Sequence, residues 1–142
     1  MQKTWFIKGA SRGFGAEIAK AALGSGDRVV ATARRRAALV EGLGPDTGQL
    51  MSIELDVTDA AQARKEVDAE MSRFGGIDVL VNNAGCGHMG FFEEMTMDDV
   101  HQQFATNLFG VFNTFAKVGD SLLWGRSMSA RFFLESTKCG RS

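Results

Sequence analysis

A chain of 142 residues has the length of one domain, and 44% apolar with 23% charged residues is the balance of a globular protein with a single core. A net charge of -1 excludes recognition of nucleic acid or of an anionic membrane surface through overall charge. Two cysteines, Cys86 and Cys139, are too few for a disulfide framework, and the apolar run Trp5 to Ile7 is too short for a signal segment or a membrane span, so a reducing, cytoplasmic setting is expected.

In chain order, short β-rich runs alternate with helical patterns, the mark of repeated βα units and a parallel sheet. Thr4 to Lys8 reads as a first strand. From Phe14 the period becomes helical, with Phe14, Ile18 and Ala22 on one face, and Gly24 and Gly26 end it. Arg28 to Ala33 is a second strand, followed by Arg34, Arg35 and Arg36 and a short helix through Leu43 that stops at Gly44 and Pro45. A third strand is expected near Leu50 to Leu55. Ala60, Ala63, Val67, Met71 and Phe74 then keep one helical stripe. Asp78 to Asn82 is a fourth strand whose continuous apolar middle suits burial on both faces. Beyond a loop with Gly85, Gly87 and Gly90, Thr96 with Asp99 reads as a helix cap with an acidic first turn, and Val100, Phe104, Leu108, Val111 and Phe115 line one face of the helix. These elements predict an α/β fold: a three-layer Rossmann-type parallel sheet of about four strands with flanking helices, incomplete as it stands.

The periodicity ends at Phe115. Residues 1–115 carry eleven basic and fifteen acidic residues, net -4, whereas 116–142 carry five basic and two acidic, net +3. That break divides the chain into an N-terminal part, 1–115, which carries the alternating elements, and an atypical tail, 116–142.

The candidate chemistry begins between the first strand and the first helix. A diphosphate needs backbone N–H donors at close range, and a helix N-terminus supplies them with a favourable dipole. Side chains would block the approach. Gly9, Gly13 and Gly15 form G-x-x-x-G-x-G at that place, which fits a dinucleotide pyrophosphate, although a plain tight turn uses glycine too. At the end of the second strand an acid would bond the ribose 2′-hydroxyl of NAD, while an arginine accommodates the 2′-phosphate of NADP. Arg34 stands there, and with Arg12 favours NADP(H), NAD(H) remaining open. The alternative for Arg34 to Arg36 is a solvated basic cluster.

Gly9-Ala10-Ser11-Arg12-Gly13-Phe14-Gly15, Asp56-Val57, Asn82-Asn83-Ala84-Gly85 and Asn107 together resemble the short-chain dehydrogenase/reductases, in that family's order and at its approximate spacings. The resemblance implies that Gly9, Ser11, Arg12, Gly13, Phe14 and Gly15 line the pyrophosphate and adenosine side. It assigns Arg34 to the 2′-phosphate and Asp56 with Val57 to the adenine. Asn83, Ala84 and Gly85 would steady the sheet near the nicotinamide ribose. Asn107 would support a catalytic lysine through water. Plainer readings are that Asp56 caps the following helix and that Asn107 is a satisfied helix residue.

Two departures stand out. Lys8 replaces the threonine usual before the first glycine, and a cation at the end of a buried strand is expected to snorkel or to shift the loop. The family's proton transfer uses a Tyr-x-x-x-Lys pair. This sequence has no tyrosine, and Leu134 lies four before Lys138. No family resemblance is read from Ala116 to Ser142, for which a lost reading frame near Thr114 and a truncation with a new tail are two origins. The expected function is therefore that of an NADP(H)-dependent oxidoreductase acting on a small alcohol or carbonyl, in a chain lacking its catalytic half. The alternative is a non-catalytic nucleotide-binding fragment or pseudoenzyme. With the later strands missing, the Val79 to Val81 edge is expected to lie open and to invite homo-oligomer formation or aggregation unless a partner or the tail covers it. Cys86 and His88 beside Gly85 read as loop residues, since no third ligand accompanies them. The Phe104 to Phe115 stretch suits core packing or an oligomer helix.

Overall fold

The sequence folds as alternating strands and helices, and the computed structural model describes residues 1–88, 90–115 and 129–132. Strands β1 (Thr4–Lys8), β2 (Arg28–Ala33), β3 (Leu50–Glu54) and β4 (Val79–Asn82) all form within a residue of their expected bounds. They are joined by helices α1 (Gly13–Gly24), α2 (Arg36–Leu43) and α3 (Ala60–Phe74). Helix α4 (Met97–Phe104) follows, capped by Thr96 and Asp99 in a reciprocal capping box. It runs into a π-helical segment, Ala105–Phe109, and on through helical residues 110–115.

All strand pairs are parallel, in the order β3-β2-β1-β4-β5. The fifth strand, β5 (Ser129–Phe132), comes from the tail and pairs Val79 with Ser129 and Val81 with Arg131. The expected open edge is thus corrected: β4 is hydrogen-bonded to β1 on one side and to β5 on the other. Unpaired N–H and C=O groups along an apolar strand are costly, and the tail supplies their partners. The rest of the tail, with Leu134, Lys138 and Cys139, lies outside the described residues.

Both faces of the sheet are covered. Ile7, Val29, Ala31, Val79 and Val81 pack under α1 and α2 with Ala19, Ala22 and Leu39, while Phe6, Val30, Ile53 and Leu80 meet Ala63 and Val67 of α3 on the opposite face. Consecutive residues Phe6 and Ile7 therefore serve different cores, which is why the strands read as unbroken apolar runs. Burying each contributes on the order of 2 kcal/mol.

Two helical stripes differ from expectation. Helix α1 buries Gly15, Ala16, Ala19 and Ala22 and leaves Phe14 63% exposed, because small residues let it approach the sheet closely. In the last helix Phe115 packs on the core, but Phe104 and Leu108 are 54% and 42% exposed. In α3 the expected stripe holds at Ala63, Val67 and Phe74, with the Met71 side chain outside the described part. Among the described residues no helix is long and apolar enough to cross a membrane.

Candidate functional site

The strand order reverses direction between β1 and β4, and in open parallel sheets the crevice beyond the strands' carboxyl ends at such a switch is where ligands bind. A cavity of about 310 Å³ lies there. Gly9, Ser11 and Arg12 line it beyond β1, Thr32, Ala33 and Arg34 at the end of β2, and Leu55, Asp56, Val57 and Thr58 beyond β3. Asn83, Ala84, Gly85 and Cys86 follow β4, and Gln102, Ala105 and Thr106 close the side formed by the last helix.

The glycine loop is held by backbone hydrogen bonds and by one side-chain amide. Gly9 and Ala10 both donate N–H to the Thr32 carbonyl at 2.9 Å. Gly9 adopts φ 73°, which favours glycine, and a Cβ on it would sit 3.0 Å from Ala84. At Gly15 a Cβ would overlap the Gly9 carbonyl oxygen and lie 2.6 Å from Asn83 Nδ2. The Asn83 Nδ2 itself donates to the Gly9 carbonyl at 2.9 Å, so the loops after β1 and β4 are fastened together. Buried Asn83 Oδ1 has no protein partner among the described residues. A glycine-rich loop that ends at a helix N-terminus and is bordered by arginines matches the needs of a diphosphate.

The sequence-predicted residues divide into two groups. Gly9, Ser11, Arg12, Arg34, Asp56, Val57, Asn83, Ala84 and Gly85 come together on the cavity wall, whereas Gly13, Phe14, Gly15 and Asn107 do not line it. Gly13, at φ 56°, starts α1, and Gly15 lets α1 pack against the loop. Of the arginine cluster, Arg36 is committed elsewhere, its guanidinium bonding Asp46 at 2.7 Å and the Ser52 carbonyl at 3.0 Å. Arg34 is the member that faces the cavity.

Asp56 accepts from Thr58 N–H and Oγ1 at 2.9 and 2.7 Å, while Asp59 accepts from the N–H groups of Ala61 and Gln62. The first turn of α3 therefore belongs to Asp59. The amide of Asn107 is spent on Cys86, accepting from its N–H at 2.8 Å and donating to its carbonyl at 2.7 Å. Cys86 is disulfide-bonded, a correction to the reduced cysteines expected from their number; the other cysteine, Cys139, lies outside the described residues. His88 Nδ1 stands 4.0 Å from Asp99, and among the described residues no trio of potential metal ligands gathers.

Lys8 does not snorkel. It is 1% exposed, and its Nζ donates to the Gly110 carbonyl at 2.6 Å and to Thr114 Oγ1 at 3.3 Å. Burial lowers its pKa from 10.5 to about 7. The helix over β1 thus offers the amine partners that solvent was expected to supply.

Sequence reasoning missed Thr32, Ala33, Leu55, Thr58, Cys86, Gln102, Ala105 and Thr106. The first five adjoin motif residues and could have been found by extending each motif along its strand end. The last three belong to α4 and the π-helical segment, whose extra residue per turn shifts which side chains face the cavity.

These features define a dinucleotide-binding α/β fold. The profile of the short chain dehydrogenase family matches residues 3–130, and the chain belongs to that family. The match passes Phe115, so the resemblance reaches further than the sequence motifs carry it. Oxidoreductase BOA17 of Botryotinia fuckeliana is 43% identical over 114 residues, covering 78% of this chain and 41% of that protein. A short chain dehydrogenase/reductase from Burkholderia phymatum in complex with NAD superposes with a TM-score of 0.84 at 26% identity, over 92% of this chain and 48% of the other. An alcohol dehydrogenase from Thermococcus sibiricus complexed with 5-hydroxy-NADP gives 0.74 at 32% identity, over 86% and 54%. The chain spans about half the length of these relatives.

Proposed function

We propose that this chain is the cofactor-binding part of an oxidoreductase that moves hydride between NADP(H) and a small alcohol or carbonyl compound. The observation that carries it is the Asn83-fastened, glycine-rich loop with Arg12 and Arg34 on one cavity wall. Gly9 and Ser11 would meet the pyrophosphate, Asp56 and Val57 the adenine, and Ala84 and Gly85 the nicotinamide side. Gly15 and Gly13 act behind them by shaping the loop, and Asn107 by holding Cys86. Arg12 and Arg34 would pair with a 2′-phosphate through charge-assisted bonds, and the absence of an acid at position 34 supports NADP(H) over NAD(H).

The bound nicotinamide supplies hydride transfer. The proton is another matter, since the sequence contains no tyrosine to hold it. We take this chain as one that holds a cofactor without turning it over, with β5 completing the sheet that carries the site. The exposed Phe104, Leu108 and Phe112 support self-association.

Fluorescence titration with NADPH and NADH tests the reading. NADPH should bind more tightly, and Arg34→Glu should lose about 2 kcal/mol of that preference. Equal affinity for both would remove the NADP(H) assignment. A panel of carbonyl compounds should give no NADPH oxidation, and turnover would disprove the non-catalytic reading.

A further inference from the structure

Lys8 is a buried amine that the site does not use. Lys8 ends β1 one residue before Gly9, in a row with Thr32 of β2 and Asn82 of β4. Gly110 O and Thr114 Oγ1 accept hydrogen bonds from its Nζ. Thr32 and Asn82 flank Lys8 in register, Gly110 and Thr114 accept from it, and none of these four is titratable. Burial alone acts on it.

A neutral amine has two N–H donors, and the two helix oxygens satisfy both. A third proton adds a positive charge and a third donor. Nearby, Asn82 Oδ1 and Nδ2 are buried without partners among the described residues. One amide oxygen does not replace the hydration an ammonium loses, so protonation favours a state in which water enters under the helix.

The helix cannot shift without moving the cavity wall. A Cβ on Gly110 would lie 2.7 Å from Val57 Cγ2, showing how tightly the two pack. Asn113 Nδ2 also donates to the Val57 carbonyl at 3.0 Å. Val57 lines the cavity, as do Ala105 and Thr106 on the π-helical segment just before Gly110.

We propose that Lys8 is a proton-operated pin: uncharged, it fastens residues 110–115 over β1 and holds the Val57 wall in place, and protonated, it releases both. Its effect on ligand affinity rests on the dinucleotide reading above, whereas its effect on the helix does not.

The test compares wild type with Lys8→Met, which keeps the length of the side chain and removes the amine. Thr114 Oγ1, 3.5 Å from the Gly110 carbonyl, remains to serve that oxygen. In wild type NADPH should bind roughly fivefold more weakly at pH 6 than at pH 8, and in Lys8→Met the two affinities should agree. Hydrogen exchange at 110–115, corrected for intrinsic rates, should be faster at pH 6 than at pH 8 in wild type only. Identical pH dependence in both proteins overturns the proposal. If NADPH binds at neither pH, the dinucleotide reading fails and the exchange data alone decide on the pin. If the variant does not fold, nitrogen NMR of Lys8 in wild type decides: a charge state that does not change between pH 6 and 8 overturns it.

Discussion

The two sides of the cavity are built differently. The strand-end side is knitted mainly by backbone, Gly9 and Ala10 on Thr32 and Leu55 on Ala33, with the Asn83 amide fastened to the Gly9 carbonyl. The helix side packs through Phe115 and Gly110 and is otherwise tied by single polar contacts, Asn107 to Cys86, Asn113 to Val57 and Lys8 to Gly110, while Phe104, Leu108, Phe109 and Phe112 face outward. The first side is a preformed cradle with little freedom to adapt. The second is a wall whose position depends on individual hydrogen bonds, which makes it the side that conditions can move.

The sharpest way to break this contrast is Gly15→Ala. A methyl group forced against the Gly9 carbonyl and Asn83 should cost about 3 kcal/mol in urea unfolding and abolish NADPH binding. A variant that binds normally would show the cradle to be soft. Asn83→Ala should come next, at about 2 kcal/mol, because the Gly9 carbonyl loses its side-chain donor. Retained stability would mean that the two loops hold position independently.

The helix side is examined through pH. The Lys8 pKa of about 7 in the fold lies below its ordinary 10.5, so the unfolded chain binds the extra proton between those values. Stability should therefore rise with pH across that window, by up to about 1.4 kcal/mol per unit, and be lowest below pH 7. Urea midpoints from pH 6.5 to 9 should follow this in wild type and not in Lys8→Met. The smallest effect is expected at Phe112→Gln: under about 0.5 kcal/mol in stability, with light scattering showing less self-association. A large loss of stability would place Phe112 in a core after all.

Most of the fold was legible because β strands covered on both faces write themselves as apolar runs between glycine-rich breaks. The Gly9 to Gly15 loop and the Asn83 segment were legible as motifs because backbone approach leaves no alternative to glycine. What escaped has physical causes. Phe14 misled because periodicity counts apolar residues without asking whether small ones pack closer. Phe104 and Leu108 carried a core-like stripe that meets no core among the described residues. β5 has only four residues and no distinctive pattern, so its pairing with β4 is set by the partner strand rather than by its own composition. Lys8 was flagged as a misfit, but the oxygens that receive it are more than a hundred positions away. Ala105 and Thr106 reach the cavity from the π-helical segment, which no residue pattern announces, and Gln102 from the α4 turn just before it.

The bond from Asn83 to the Gly9 carbonyl spans 74 positions of sequence. During synthesis the glycine loop leaves the ribosome long before the residue that locks it, and β1 must wait for β4 to fill its second side. A nascent chain that ends in α3 thus carries the whole phosphate-binding motif in an unlocked form. The pocket comes into being as a late event of folding, and translation pausing before Asn83 would expose an interval in which the motif is present and the cofactor has nothing to bind.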